Sequence, residues 1–194
     1  VSLKNGMVTT NPIAGTRPRG ANDQKDKDLS EELLSDVKEV AEHRMLVDLG
    51  RNDIGKIAEV GSVQVTKYME VEFFRYVMHL TSVVKGKLLS GLTGMDALKS
   101  TLPAGTVSGA PKIRAWFLFY ELEKEKRGIY AGAIGYLSAN GDMDFAIAIR
   151  TMIIKNQKAY VQAGAGIVYD SVPENEYYET INKAKAMTRI GEIQ

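Results

Sequence analysis

Two pairs of glutamates have the spacing that metal chemistry uses. Glu39 and Glu42 form one pair and Glu176 and Glu179 the other, and each pair lies in a stretch that reads as helix. A separation of three residues sets both carboxylates of a pair on one helical face. Four oxygen donors from two facing helices suit Mg²⁺, a hard cation that prefers carboxylates, waters and a substrate anion in octahedral array. Lys183, one turn beyond Glu179, adds a cation that an anionic ligand can use. Glutamates are also common on solvated helix faces, so spacing alone leaves both readings open. Gly164-Ala165-Gly166 follows an apolar run, where closely spaced glycines let backbone N–H groups approach an anion such as a carboxylate. An ordinary bulge or tight turn accounts for them equally well. Arg150 closes the run Ala146-Ile147-Ala148-Ile149, and a guanidinium at the end of a buried strand calls for an anionic partner. Its fork geometry favours a bidentate carboxylate. His79 sits within Tyr76-Val77-Met78-His79-Leu80-Thr81, as a hydrogen-bonded core residue or as an acid–base group near pH 7. Tyr130 and Thr106 carry no signal by themselves.

Composition removes several other chemistries. With 25 basic and 24 acidic residues the net charge is +1, and no one-signed stripe offers a footprint for nucleic acid. There is no cysteine, so disulfides and thiolate metal sites are excluded. The two histidines, His43 and His79, do not make a zinc pattern, and no nucleophile triad is present. Gly105-Thr106-Val107-Ser108-Gly109-Ala110-Pro111-Lys112 departs from the order of a phosphate-binding loop, which rules out a nucleoside triphosphatase. No apolar run reaches the ~20 residues of a membrane span, and no secretory leader is seen. A soluble cytoplasmic protein is the expectation. At 194 residues and 44% hydrophobic, the chain can form one core. Val1 and the immediate strand-like run read as a fragment whose N-terminal portion is missing.

The elements that must position these residues follow from pattern. Asn5-Gly6 between Val1–Lys4 and Met7–Thr10 predicts a hairpin turn. Asn11–Gly20 reads as loop, broken by Pro12, Gly15, Pro18 and Gly20, and Ala21–Asp28 as a mobile polar connection. Asp28 with Glu31 has capping-box spacing, and Leu33, Val37, Val40, Ala41 and Met45 continue at helical period to about residue 49. Val63–Phe74 and Val77–Lys87 predict strands, Met95–Ser100 a short helix, and Pro111 the first turn of a helix to about residue 126. Strands over Ile129–Ser138, Met143–Ile154 and Ala159–Val168, separated by short turns, predict an antiparallel meander. A last helix opens at Pro173 and runs to about residue 190. The expected class is α+β, an antiparallel sheet packed against long helices.

Six stretches in order resemble the chorismate-binding enzyme family, over nearly the whole chain. They are Pro12–Gly20, Glu42–Asp53, Tyr76–Leu80, Ser108–Lys112, Gln162–Gly166, and Asp170–Pro173 leading into Glu179-Thr180. The resemblance implies the C-terminal part of that family's α/β sandwich, residues 1–194 being one N-terminally truncated chorismate-binding domain. It implies that Glu42 and Glu179 ligate Mg²⁺, with Glu39 and Glu176 acting mainly through water, and that Glu42 and Glu179 face one another across a cleft. It places the enolpyruvyl carboxylate of chorismate on Arg150, Tyr130 and the backbone of Gly164, Ala165 and Gly166. Gly15, Thr16 and Lys183 complete the implied pocket, and His79 and Thr106 lie near the reacting ring carbons.

Position 14 separates branches of the family. Members that make aminodeoxychorismate carry lysine there as a nucleophile. Ala14 matches the anthranilate-forming branch, since a methyl group can do no covalent catalysis. The implied activity is Mg²⁺-dependent amination of chorismate and elimination of pyruvate, with ammonia or with nitrogen from a glutamine amidotransferase subunit. Aminodeoxychorismate, isochorismate or salicylate formation is the alternative chemistry, and a non-catalytic ligand-binding fragment the alternative class. The family's general-acid glutamate belongs to a region preceding this segment, so the segment alone is expected to be a poor catalyst. Trp116-Phe117-Leu118-Phe119-Tyr120 is unusually apolar, as a helix packed on several sides or as a surface for self-association.

Overall fold

Asn5 and Gly6 both take positive φ, 51° and 75°, and their turn joins strand β1 (Ser2–Lys4) to β2 (Met7–Thr10) as expected. The computed structural model describes residues 1–169 and 171–188. Within these the chain forms two compact units, Val1–Thr101 with Gly135–Phe145, and Leu102–Ile134 with the described residues from Ala146 onward.

The first unit is built on β5 (Val77–Lys87), whose residues from Met78 to Val84 are largely buried. One edge of β5 pairs antiparallel with β4 (Gln64–Phe73). The other edge takes β2 over Val84–Lys87 and β3 (Ile13–Pro18) over Val77–Thr81. Beyond β2 come β1, then β7 (Met143–Ile147) and β6 (Ala133–Leu137), completing a seven-stranded sheet. Helix α1 (Asp23–Ser35) and helix α2 (Val37–Gly55) cover the β3–β5 region. On α2 the buried residues His43, Leu46, Val47, Gly50 and Ile54 recur at helical period and face inward. Leu33 from α1 closes over Met78 and Leu80, flanked by Leu29, Val40, Met69 and Val71. Helix α3 (Gly94–Thr101) buries Ala97 and Leu98.

The second unit carries helix α4 (Gly105–Ser108), helix α5 (Lys112–Leu122), the hairpin β8 (Met152–Lys155) and β9 (Lys158–Val161), and helix α6 (Pro173–Thr188). Asn156 and Gln157 at φ 51° and 58° make the β8–β9 turn. No helix among the described residues is long and apolar enough to cross a membrane.

The α+β expectation holds, with several boundaries corrected. Asn11–Gly20 is not all loop, because residues 13–18 add to the edge of β5, where prolines are tolerated. Residues 21–28 are not a mobile connection. The Asn22 side chain caps Lys25 N at 2.9 Å and α1 begins at Asp23, so Asp28 is inside the helix. The single helix expected to about residue 49 is two, broken at Asp36. Its Oδ1 accepts from Lys38 N and Glu39 N at 3.0 and 3.1 Å and restarts the backbone as α2. Pro111 caps α5 rather than lying within it, and α5 stops at Leu122. The meander is divided: β6 and β7 extend the large sheet, while β8 and β9 pair separately. The break falls at Arg150, whose φ of 53° cannot continue a strand. Asp170 and the predicted end of the last helix near residue 190 lie outside the described residues.

Candidate functional site

The glycine of β3 builds the first group of predicted residues. The register between β3 and β5 shifts between Ala14 and Thr16, leaving Gly15 at φ 69°. A side chain there would place its Cβ 3.0 Å from Leu33 Cδ1 and 3.3 Å from Glu39 Oε2. Glycine therefore lets the Glu39 carboxylate of α2 lie against the β3 backbone. On the paired strand, His79 Nδ1 lies 2.9 Å from the Gly15 carbonyl oxygen and 3.1 Å from Thr16 Oγ1. A carbonyl only accepts, so Nδ1 is the donor, and the neutral ring keeps its lone pair at Nε2.

Glu39 and Glu42 share one face of the first turns of α2. Burial pushes the Glu39 carboxyl above its usual range, and the charges of Glu42 and Asp36 push it further, against the pull of Arg17. Arg17 Nη1 stands 3.8 Å from Glu39 Oε1, while the same guanidinium bonds Glu32 at 3.0 Å and Asp36 at 2.8 Å. A half-buried, mutually repelling pair of hard oxygen donors is an environment that a divalent cation relieves, so these residues fit Mg²⁺. Among the described residues no group of three or more His, Asp or Glu side chains is gathered that could hold a metal ion. Glu39 and Glu42 belong to the first unit, and Glu176 and Glu179 to the second.

The second group gathers around Tyr130. A Cβ on Gly164 would lie 3.1 Å from the Tyr130 hydroxyl, so glycine again permits the approach. Lys183 Nζ donates to the Gly164 carbonyl at 3.1 Å and forms an ion pair with Glu179 one turn earlier on α6. Arg150 Nη1 donates to the Lys183 carbonyl at 3.1 Å. Tyr130, Arg150, Gly164, Lys183 and Glu179 thus converge within one unit. Burial raises the Tyr130 phenol above its ordinary pKa, and Arg127 and Arg150 pull against it. Glu176, on the same helix as Glu179, is buried. Thr106 is exposed on the single turn of α4.

Two sequence arguments need correction here. Arg150 does not end a buried strand. It is exposed, past the end of β7, and its guanidinium meets a helix carbonyl, so burial demands no anion. Gly164–Gly166 lies in the irregular segment after β9 rather than at a strand end.

Three residues not singled out from sequence support these groups. Arg17 anchors both helices beside Glu39. His43, buried immediately after Glu42, bonds Ser82 Oγ through Nε2 at 2.6 Å, and that oxygen accepts from Met69 N at 2.8 Å. The bridge ties the glutamate-bearing helix to the strand of His79, and burial pushes His43 toward its neutral form. Arg127 packs beside Tyr130. The visible signals were helical spacing from Glu39 to His43 and from Glu123 to Arg127.

Residues 1–189 match the family described as chorismate binding enzyme. The anthranilate synthase component 1 of Lactococcus lactis is 63% identical over 192 residues, which are 99% of this chain and 42% of that protein. The crystal structure of anthranilate synthase component I from Streptococcus pneumoniae superposes with a TM-score of 0.90 at 76% identity, over 97% of this chain and 41% of that one. The menaquinone-specific isochorismate synthase of Escherichia coli superposes with a TM-score of 0.86 at 27% identity, over 96% and 42%. The chain spans about two fifths of the length of these relatives. With a fold that superposes on that of a family relative and a match over residues 1–189, the chain belongs to the chorismate binding enzyme family.

Proposed function

We propose that this chain is the chorismate-binding part of an anthranilate synthase component I. The carrying observation is the contrast in identity: 63% and 76% to two proteins of that name, against 27% to an isochorismate synthase of the same fold. Ala14 supports the same branch, because it offers no amine to attack the ring.

In this reading Glu42 and Glu179 hold Mg²⁺ directly and Glu39 and Glu176 through water. The bound ion supplies a template and Lewis acid for the ring carboxylate of chorismate. Arg150, the Tyr130 hydroxyl and the backbone of Gly164–Gly166 bind the enolpyruvyl carboxylate, and Lys183 neutralises part of its charge. Gly15 and Thr16 wall the pocket. Ammonia adds to the ring carbon beside the carboxylate as the hydroxyl leaves. His79, with its proton held at Nδ1, has Nε2 available to take up the ring proton as the enolpyruvyl ether departs as pyruvate. Thr106 lies near those carbons. A glutamine amidotransferase subunit supplies the ammonia in the complete enzyme.

The test is product analysis on the full-length protein with chorismate, ammonium and Mg²⁺. Anthranilate and pyruvate should appear in equal amounts, and glutamine should replace ammonium only when the amidotransferase subunit is added. Accumulation of isochorismate or aminodeoxychorismate would reassign the branch. Absence of turnover together with Mg²⁺-dependent chorismate binding in a calorimeter would favour a binding role. Glu179→Gln keeps the side-chain shape but removes a ligand charge. It should lower activity about 10- to 100-fold or more, at least the loss typical of supporting residues around a metal.

A further inference from the structure

We propose that Arg127 is a positioning residue that ties the α4 turn carrying Thr106 to the phenol of Tyr130. The inference rests on the reading of Tyr130 and Thr106 as substrate-facing, and the geometry lies wholly within the second unit. Arg127 Nε and Nη2 engage both oxygens of Glu123, the C-cap residue of α5, at 2.8 and 2.5 Å. Its remaining terminal nitrogen donates to the Val107 carbonyl at 2.8 Å, in the residue next to Thr106. The guanidinium lies over the Phe119 ring at 4.0 Å and near the Tyr130 ring at 5.8 Å. The Arg127 carbonyl accepts the Tyr130 N–H at 3.0 Å, which folds the tyrosine back beside its own arginine. One planar group therefore fixes a helix end, a carbonyl of the α4 turn and an aromatic ring.

Only arginine satisfies this set. An ammonium cannot make the two-point contact with Glu123, reach Val107 and stack on Phe119 at once. Side-chain exposure of 23% keeps the cluster partly shielded from water, where such contacts hold geometry best. Its influence on substrate passes through the two elements it holds, the α4 turn and Tyr130.

The experiment uses the full-length protein and a double-mutant cycle. Arg127→Met should raise the KM for chorismate about tenfold while kcat moves less, as expected when a binding group is displaced in ground and transition states alike. Arg127→Lys should not rescue it. In a Tyr130→Phe background the Arg127→Met change should add less than its full effect, because one of the two routes it acts through is already lost. Full additivity, or a fall in Tm with KM unmoved, would overturn the proposal. Glu123→Gln, which loosens the arginine without removing it, should shift KM in the same direction and guards against misfolding of the first variant.

A second measurement stands apart from substrate. In protein carrying ¹³C-labelled tyrosine, the resonance missing from Tyr130→Phe identifies Tyr130, and its phenol titration should move to higher pH in Arg127→Met. No movement overturns the proposal. If Tyr130→Phe itself leaves KM unchanged while the titration moves, Arg127 positions Tyr130 as proposed and the substrate role of Tyr130 is what fails.

Discussion

Replacing a hydrogen of Gly15 by methyl sets a carbon 3.0 Å from Leu33 Cδ1 and 3.3 Å from Glu39 Oε2, on a backbone already at φ 69°. The backbone conformation alone is costly for any other residue, and the two side chains must also give way by a few tenths of an ångström. Gly15→Ala should destabilise the protein by about 1–3 kcal/mol, the usual cost of a non-glycine residue held in the left-handed region. The check is a lower midpoint in urea with an unchanged slope. Its second effect is local, since Glu39 must shift and with it the charge of the carboxylate pair. Arg150 acts differently, because it is exposed and its guanidinium bonds a helix carbonyl. Arg150→Ala should leave folding nearly intact and raise the chorismate KM of the full-length enzyme, with a smaller fall in kcat. A fall in kcat alone would remove its assigned carboxylate contact.

Between α1 and α2 a single aspartate does two jobs. Asp36 caps the backbone N–H groups of Lys38 and Glu39, and its other oxygen takes the Arg17 guanidinium at 2.8 Å. Asp36→Ala should cost about 1–2 kcal/mol, the worth of a good helix cap. The N–H of Glu39, and after it the hydrogen bond from Arg17, hold the Asp36 carboxyl below its usual pKa. A depressed carboxylate stabilises above its unfolded pKa and loses that contribution as pH falls through the folded value. The gap between wild type and Asp36→Ala, measured by melting, should therefore be full near neutrality and shrink under acid. This joint was not legible in the sequence, because hydrophobic period runs straight through it from Leu33 to Val37 and Val40. Strand β3 was hidden for a related reason. Its proline and glycine read as loop, and only pairing with the buried β5 edge makes it a strand. The β4, β5 and α3 spans were legible because their patterns run unbroken from end to end. Of the site, the carboxylate pairs and Gly164 were visible as spacing. Arg17, His43 and Arg127 were not, since each gains its meaning from partners on other elements or across a turn.

Helix α5 has no buried residue, and Ile113, Trp116 and Tyr120 are 75%, 65% and 90% exposed. Apolar surface of that kind drives association. The 21.3 kDa chain on its own should show a larger, concentration-dependent mass by light scattering, and Trp116→Glu with Tyr120→Lys should bring it back toward one chain. A monomer that stays monomeric at high concentration would contradict this. The sheet of the first unit has a consequence for synthesis. Leu3 on β1 pairs with Met143 on β7, and Ser2 with Asp144, so β1 waits for a strand that is made much later. At about 5–20 residues per second the ribosome needs roughly 7–30 s to make the intervening chain. During that interval β1 and β2 can form their hairpin, but the edge that β7 will occupy stays open. Pauses that slow translation ahead of residue 143 should lengthen that window and lower the yield of native protein, whereas pauses after β7 has emerged should not.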